Sequence, residues 1–213
     1  GVLEDAKRFG MKAVIDEKLP RDLADMSAIL TKVKLLKPDV LLVSGHSKGA
    51  ATAVRQIDEQ NVKVSMIGIT HCEAADVTGK FGAAANDILC PTQWAETLTY
   101  EDPIFGTAEN FNSEVKAKYD AYANRPIPYQ LAQASAAIYV FKDAFERAGS
   151  LDKEAVRDAI AATDLKTFYG NVKFSEAGNN VAKPMVLRQI QDGKYNVVAP
   201  SDFASHQVNW PRG

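Results

Sequence analysis

Val40-Leu-Leu-Val-Ser-Gly-His-Ser-Lys-Gly-Ala-Ala51 decides the fold. Val40 to Val43 is a continuous apolar run, typical of a strand covered on both faces. Ser44 to Gly49 is a turn of small and polar residues, and a helix follows from about Ala50 to Gln60. A buried strand, a glycine-bearing turn and a helix form the unit from which parallel sheets are built.

The same rhythm extends in both directions. Upstream, Asp25 is placed to cap a helix with apolar positions at Met26, Ile29, Leu30, Val33 and Leu36, which Lys37-Pro38-Asp39 breaks. Met11 to Leu19 alternates and reads as a strand ended by Pro20. Val2 to Phe9 has helical spacing at positions 2, 3, 6 and 9, with Gly10 as its stop. Downstream, Val64 to Ile69 is a further buried strand and Ile88 to Cys90 begins another. This alternation predicts an α/β fold, a Rossmann-like parallel sheet with helices on both faces and right-handed crossovers.

After residue 100 the pattern changes. Glu101 to Gly106 reads as loop and Asn110 to Tyr122 as an amphipathic helix. Pro126 and Pro128 stand too close together to lie inside a helix, so a crossing between lobes is expected there. Tyr129 to Ala148 predicts a long helix ended by Gly149. Asp152 caps the next helix, which ends near Thr163, with Leu151 placed to staple onto Val156. A short strand is expected around Val172 to Phe174. Met185 to Ile190 and Tyr195 to Ala199 flank Asp192-Gly193, a two-residue hairpin signal.

Composition excludes several classes. The 213 residues carry 25 basic and 27 acidic side chains, so no nucleic-acid or anionic-membrane partner is expected. No apolar run is long enough to span a bilayer, so no membrane insertion is expected. The chain opens at Gly1 inside a helical pattern without a signal peptide and reads as a mature or truncated product. Cys72 and Cys90 match no metal spacing; they fit either a single bridge or two separate buried thiols.

Gly45-His-Ser-Lys-Gly49 also fits the nucleophile elbow of an α/β hydrolase, with Ser47 as nucleophile and His206 late enough to serve as base. Against this reading, only a short segment precedes the elbow, and no upstream His-Gly loop offers an oxyanion hole. His206 lies in a polar tail. The same turn suits binding. Helix starts after parallel strands present free N–H groups, and loops at the carboxyl ends of neighbouring strands share one crevice. His46 and Ser47 from one loop, and Thr70, His71 and Glu73 from the next, are therefore expected to converge on a ligand. Coordination of a metal by His46, His71 and Glu73 lacks a close ligand pair at helical spacing, so no metal and no cofactor are expected.

The segment Thr167-Phe-Tyr-Gly-Asn-Val-Lys-Phe-Ser-Glu-Ala-Gly-Asn179 resembles a signature of type I periplasmic binding proteins, which serve branched-chain amino acid ABC importers and their relatives. Tyr100-Glu-Asp-Pro-Ile-Phe-Gly106, Ala148-Gly-Ser-Leu-Asp152, Gln189-Ile-Gln-Asp-Gly193 and Asn209-Trp-Pro211 agree with it. The resemblance implies two Rossmann-like lobes joined by three crossing strands that close on a ligand. Residues 1–125 then resemble most of the second lobe, 126–183 the C-terminal part of the first, and 184–213 a return to the second. The rest of the first lobe and the opening strand of the second have no counterpart.

By position, His46 falls where amino-acid binders carry an aromatic contact, and Thr70 or His71 where they carry a glutamate for the ligand's ammonium. Glu73 stands nearby as a substitute, and Tyr129 and Gln130 match the first lobe's last contacts. The implied function is an extracytoplasmic, periplasmic solute-binding component. It takes a small carboxylate such as an amino acid or aromatic acid, has a membrane permease as partner, and is not an enzyme.

Overall fold

The computed structural model describes residues 2–20 and 24–212. The chain divides into two compact units: Gly1–Cys90 with Ile190–Lys194 and Asn209–Gly213, and Pro91–Gln189 with Tyr195–Val208. Three strands carry the chain from one unit into the other, namely β3 (Leu89–Thr92), β8 (Val186–Gln191) and β9 (Lys194–Ala199). The boundary after residue 90 differs from the expected break at 125/126. Ile127 is buried in the core of the second unit, and the flanking prolines mark only the turn into the long helix there.

The first unit is built on parallel strands. β1 (Val40–Val43) pairs with β2 (Met66–Ile69) from Val40↔Met66 to Val43↔Ile69, and β2 pairs with β3 at Gly68↔Leu89. The full strand order is β1-β2-β3-β8-β9. α1 (Val2–Arg8) opens the chain. α2 (Ser27–Leu36) contributes Leu30 and Val33 to the core, and α3 (Ser47–Glu59) contributes Ala50, Ala53, Val54 and Ile57. The turn before α3 is shorter than the sequence implies, because the helix begins at Ser47 and not near Ala50.

Buried Gln56 anchors the start of α2: its Oε1 accepts from the Met26 N–H and its Nε2 donates to Asp25 Oδ1. The Ser27 hydroxyl and N–H also donate to that oxygen, and these donors together hold the Asp25 carboxyl down at about 2.

Met11 to Leu19 is not a strand. Residues 11–20 form no strand ladder among the described residues, and Met11 and Val14 are exposed. Alternation makes one face apolar, but a strand exists only through a ladder with a second strand. At the far end of the unit the Asp192-Gly193 turn forms as expected: both residues have positive φ, 50° and 73°, and the Gly193 N–H donates to Asn86 Oδ1.

The second unit packs around aromatic rings. Phe111 stacks on Phe168 with centroids 4.2 Å apart, and Trp94 meets both edge-on at 5.9 and 6.3 Å. The stretch read as a loop at 101–106 is a small ladder, β4 (Glu101–Asp102) with β5 (Gly106–Thr107). α6 (Ala108–Lys118) follows, its N-terminus capped by the Thr107 hydroxyl. α7 (Tyr129–Ala148) matches the sequence reading at both ends and buries Ala132, Ala136, Val140 and Ala144 along one stripe. Asp152 caps α8 (Lys153–Ala161) by accepting from the N–H groups of Glu154 and Ala155. The expected staple is not buried: Leu151 is 84% exposed. β6 (Asp164–Thr167) and β7 (Gly170–Lys173) close a hairpin over the aromatic core.

Candidate ligand-binding site

In the first unit the loops leaving β1 and β2 are latched together by one residue. Thr70 donates its backbone N–H to Val43 O at 3.1 Å, and its hydroxyl accepts from Gly45 N and donates to Gly45 O, both at 3.0 Å. This latch brings His46 and His71 to one end of the sheet, their ring centroids 5.9 Å apart and tilted by 52°. Ser47 is half-buried as the first residue of α3, a helix of 13 residues whose opening N–H groups have no intrahelical partner. Glu73 lies in α4 (Cys72–Ala75) and is only 1% exposed. The structure therefore brings His46, Thr70 and His71 to one end of the sheet, with Ser47 next in the chain to His46 and Glu73 buried in the short helix that follows.

Cys72 and Cys90 are joined in a disulfide, which decides between the two readings left open by their spacing. His46, His71 and Glu73 form no metal-holding group; none of that kind occurs among the described residues.

Tyr129 and Gln130 open α7 in the second unit. Gln130 Oε1 is buried with no hydrogen-bond partner among the described residues, and the same holds for the Tyr169 hydroxyl. Burial pushes that hydroxyl's pKa up, with Tyr129 close enough to add to the effect. Lys183 Nζ sits 4.4 Å from the centre of the Tyr169 ring and donates to Gln93 O. Burial lowers its pKa to about 8. Tyr169 and Lys183 are polar groups of this region that the sequence reading misses. Tyr169 lies within the Thr167–Asn179 segment already quoted, but nothing local marks Lys183.

His206 does not complete a hydrolytic triad. It is exposed in the second unit with Nδ1 3.0 Å from Ser205 Oγ, and no hydrogen bond joins Ser47 to an imidazole among the described residues. A cavity of about 500 Å³ opens at the opposite end of the first unit's sheet, beside Asp39, Val64 and Ser65. Lys34, Lys37 and Lys63 line it, beside the C-terminal ends of α2 and α3. Helix dipoles favour cations there, which accounts for them without a ligand.

The family model described as periplasmic binding protein matches residues 1–194. The chain belongs to the periplasmic binding protein family. Among its family relatives, the Leu/Ile/Val-binding protein homolog 7 of Brucella abortus is 26% identical over 97% of this chain and 52% of its own length. The chain thus spans about half the length of the curated relatives it matches.

Two solved structures share the fold. A leucine-binding protein of Thermotoga maritima aligns with a TM-score of 0.75 at 23% identity, covering 94% of this chain and 55% of its own. A solute-binding protein of an ABC transporter from Rhodopseudomonas palustris, in complex with benzoate, aligns with a TM-score of 0.72 at 20% identity, covering 92% and 53%. None of these relatives supports the hydrolase reading of Ser47.

Thr70 is the residue on which the first unit's loop arrangement rests. Thr70→Val keeps the side-chain volume but removes both hydrogen bonds to Gly45. It is expected to lower stability by about 1–2 kcal/mol and to abolish the His46–His71 ring-to-ring contact, read by urea unfolding and by nuclear Overhauser effects between the imidazoles. A retained contact would show that the latch is not what aligns the loops.

Proposed function

We propose that this chain supplies ligand-binding surface to the extracytoplasmic solute-binding component of an ABC importer, and that the ligand is a small carboxylate, either an amino acid or an aromatic acid. The carrying observation is the Thr70 latch, which sets two imidazoles and the start of α3 at one end of a parallel sheet. Unpaired helix N–H groups and imidazole N–H groups are donors suited to a carboxylate. The relatives support both ligand types, one being named for leucine and another holding benzoate.

In this reading the first unit is the second lobe and the second unit is the C-terminal part of the first lobe. Tyr129 and Gln130 are that lobe's ligand contacts. Closure follows because a ligand touching both lobes binds the closed state better. The permease is the partner that recognises the closed form.

The test is a thermal-shift and calorimetric screen of the 213-residue chain against leucine, valine and benzoate. At a ligand concentration about ten times Kd the expected stabilisation is about 1.4 kcal/mol, or a rise of roughly 3–6 °C in Tm. The rise should vanish when His46 and His71 are both replaced by alanine. No shift and no heat with any of the three at 10 mM would reject the carboxylate reading.

A further inference from the structure

The Cys72–Cys90 disulfide occupies a place that simple stapling does not explain. Cys72 and Cys90 are both fully buried, with Cα atoms 6.0 Å apart. Cys72 stands between His71 and Glu73, two of the candidate ligand side chains. Cys90 ends the first segment of the first unit, on β3, and its neighbour Pro91 already belongs to the second unit. One covalent bond therefore runs from the candidate ligand loop to a strand by which the chain leaves the unit.

The loop needs such a tie. α4 has only four residues, too few to hold itself by its own ladder. It is bracketed by two non-glycine residues in the left-handed region, His71 at φ 62° and Asp76 at φ 55°. Backbone of that kind persists only where the surroundings over-determine it. Thr70 fixes the loop on the side of β1, but its hydroxyl bonds go to Gly45 and do not reach α4.

We infer that the disulfide is a positioning device for ligand binding: it clamps α4 to β3, fixes His71 and Glu73 at the end of the sheet, and links their placement to the crossing strand. This rests on the reading of the first unit as a ligand-binding lobe. A mere staple would lower stability as a whole and leave the loop's local order intact. A clamp loses local order first.

The experiment compares the 213-residue chain with C72A/C90A. Hydrogen exchange followed by mass spectrometry reads local protection, and calorimetry with leucine, valine and benzoate reads affinity. The clamp predicts at least a tenfold faster exchange across residues 70–81, with β1 and α3 unchanged. It also predicts at least a tenfold weaker Kd for whichever compound binds the parent chain. Unchanged exchange across 70–81, or an acceleration spread evenly over the unit, overturns it. Unchanged affinity overturns the link to binding. If the parent chain binds none of the three, the functional reading fails, while the exchange comparison still decides the clamp. If C72A/C90A lacks the parent's helical circular dichroism, the same comparison on the parent chain with and without a phosphine reductant takes its place.

Discussion

Asp102→Ala is expected to destabilise the second unit by about 3 kcal/mol, lowering its thermal midpoint by roughly 6–12 °C. The buried carboxylate serves three backbone donors. Oδ1 accepts from the N–H groups of Ile104 and Phe105 at 2.8 and 2.7 Å, closing the β4–β5 turn. Oδ2 accepts from the Phe168 N–H at 2.8 Å, across a sequence separation of 66 residues. Alanine leaves all three without their acceptor, and the Phe168 group is buried, so it cannot turn to water. Hydrogen bonds to a charged acceptor contribute about 1.5–3 kcal/mol each. The three are not additive because the turn relaxes once the carboxylate is gone, which brings the total down to about 3 kcal/mol. Denaturation followed by the fluorescence of Trp94, itself buried against Phe168, reads the effect directly. An unchanged midpoint would mean that the aromatic packing alone holds residue 168.

Those three bonds also explain which parts of the molecule the sequence makes legible. Local chemistry is readable. The strand at Val40 to Val43, the full length of α7, the Asp152 cap and the Asp192-Gly193 turn follow from neighbours in the chain and are present, although Leu42 is 55% exposed where both faces of the strand were expected to be covered. Non-local pairing is not readable. The alternation of Met11 to Leu19 looks like a strand, yet nothing in the chain's local pattern says whether a second strand lies beside it. The prolines at 126 and 128 look like a lobe crossing because proline breaks helices, whereas the chain leaves the first unit within β3, whose residues carry no special mark. The convergence of the loops bearing His46 and His71 was legible because consecutive parallel strands must end on the same side of a sheet. The means of that convergence, a single threonine hydroxyl on Gly45, was not. Tyr169 and Lys183 meet only through tertiary folding, and no spacing rule joins them.

Trp94→Ala is expected to cost the second unit about 4 kcal/mol, near the upper range for a buried aromatic. The indole is 1% exposed, meets Phe111 and Phe168 edge-on, and donates Nε1–H to Phe168 O at 3.3 Å. Alanine leaves a cavity at the centre of the aromatic cluster and an unpaired carbonyl at its edge. Trp94→Phe keeps a six-membered ring but removes the bond and leaves a smaller void, so about 2 kcal/mol is expected for it. Phe168 is thus gripped from both sides, its N–H by Asp102 and its carbonyl by Trp94. Groups that share a partner couple, so Trp94→Phe combined with Asp102→Asn should fall short of the sum of the single losses by about 1 kcal/mol. Measured by urea unfolding, an additive pair would show two independent anchors. A coupled pair would show one device that holds Phe168 and so constrains the next residue, Tyr169, which lies near Tyr129. The resemblance carried by Thr167–Asn179 would then have a physical meaning: the segment is held at the N–H and the carbonyl of one residue, Phe168, which limits where the tyrosine that follows it can go.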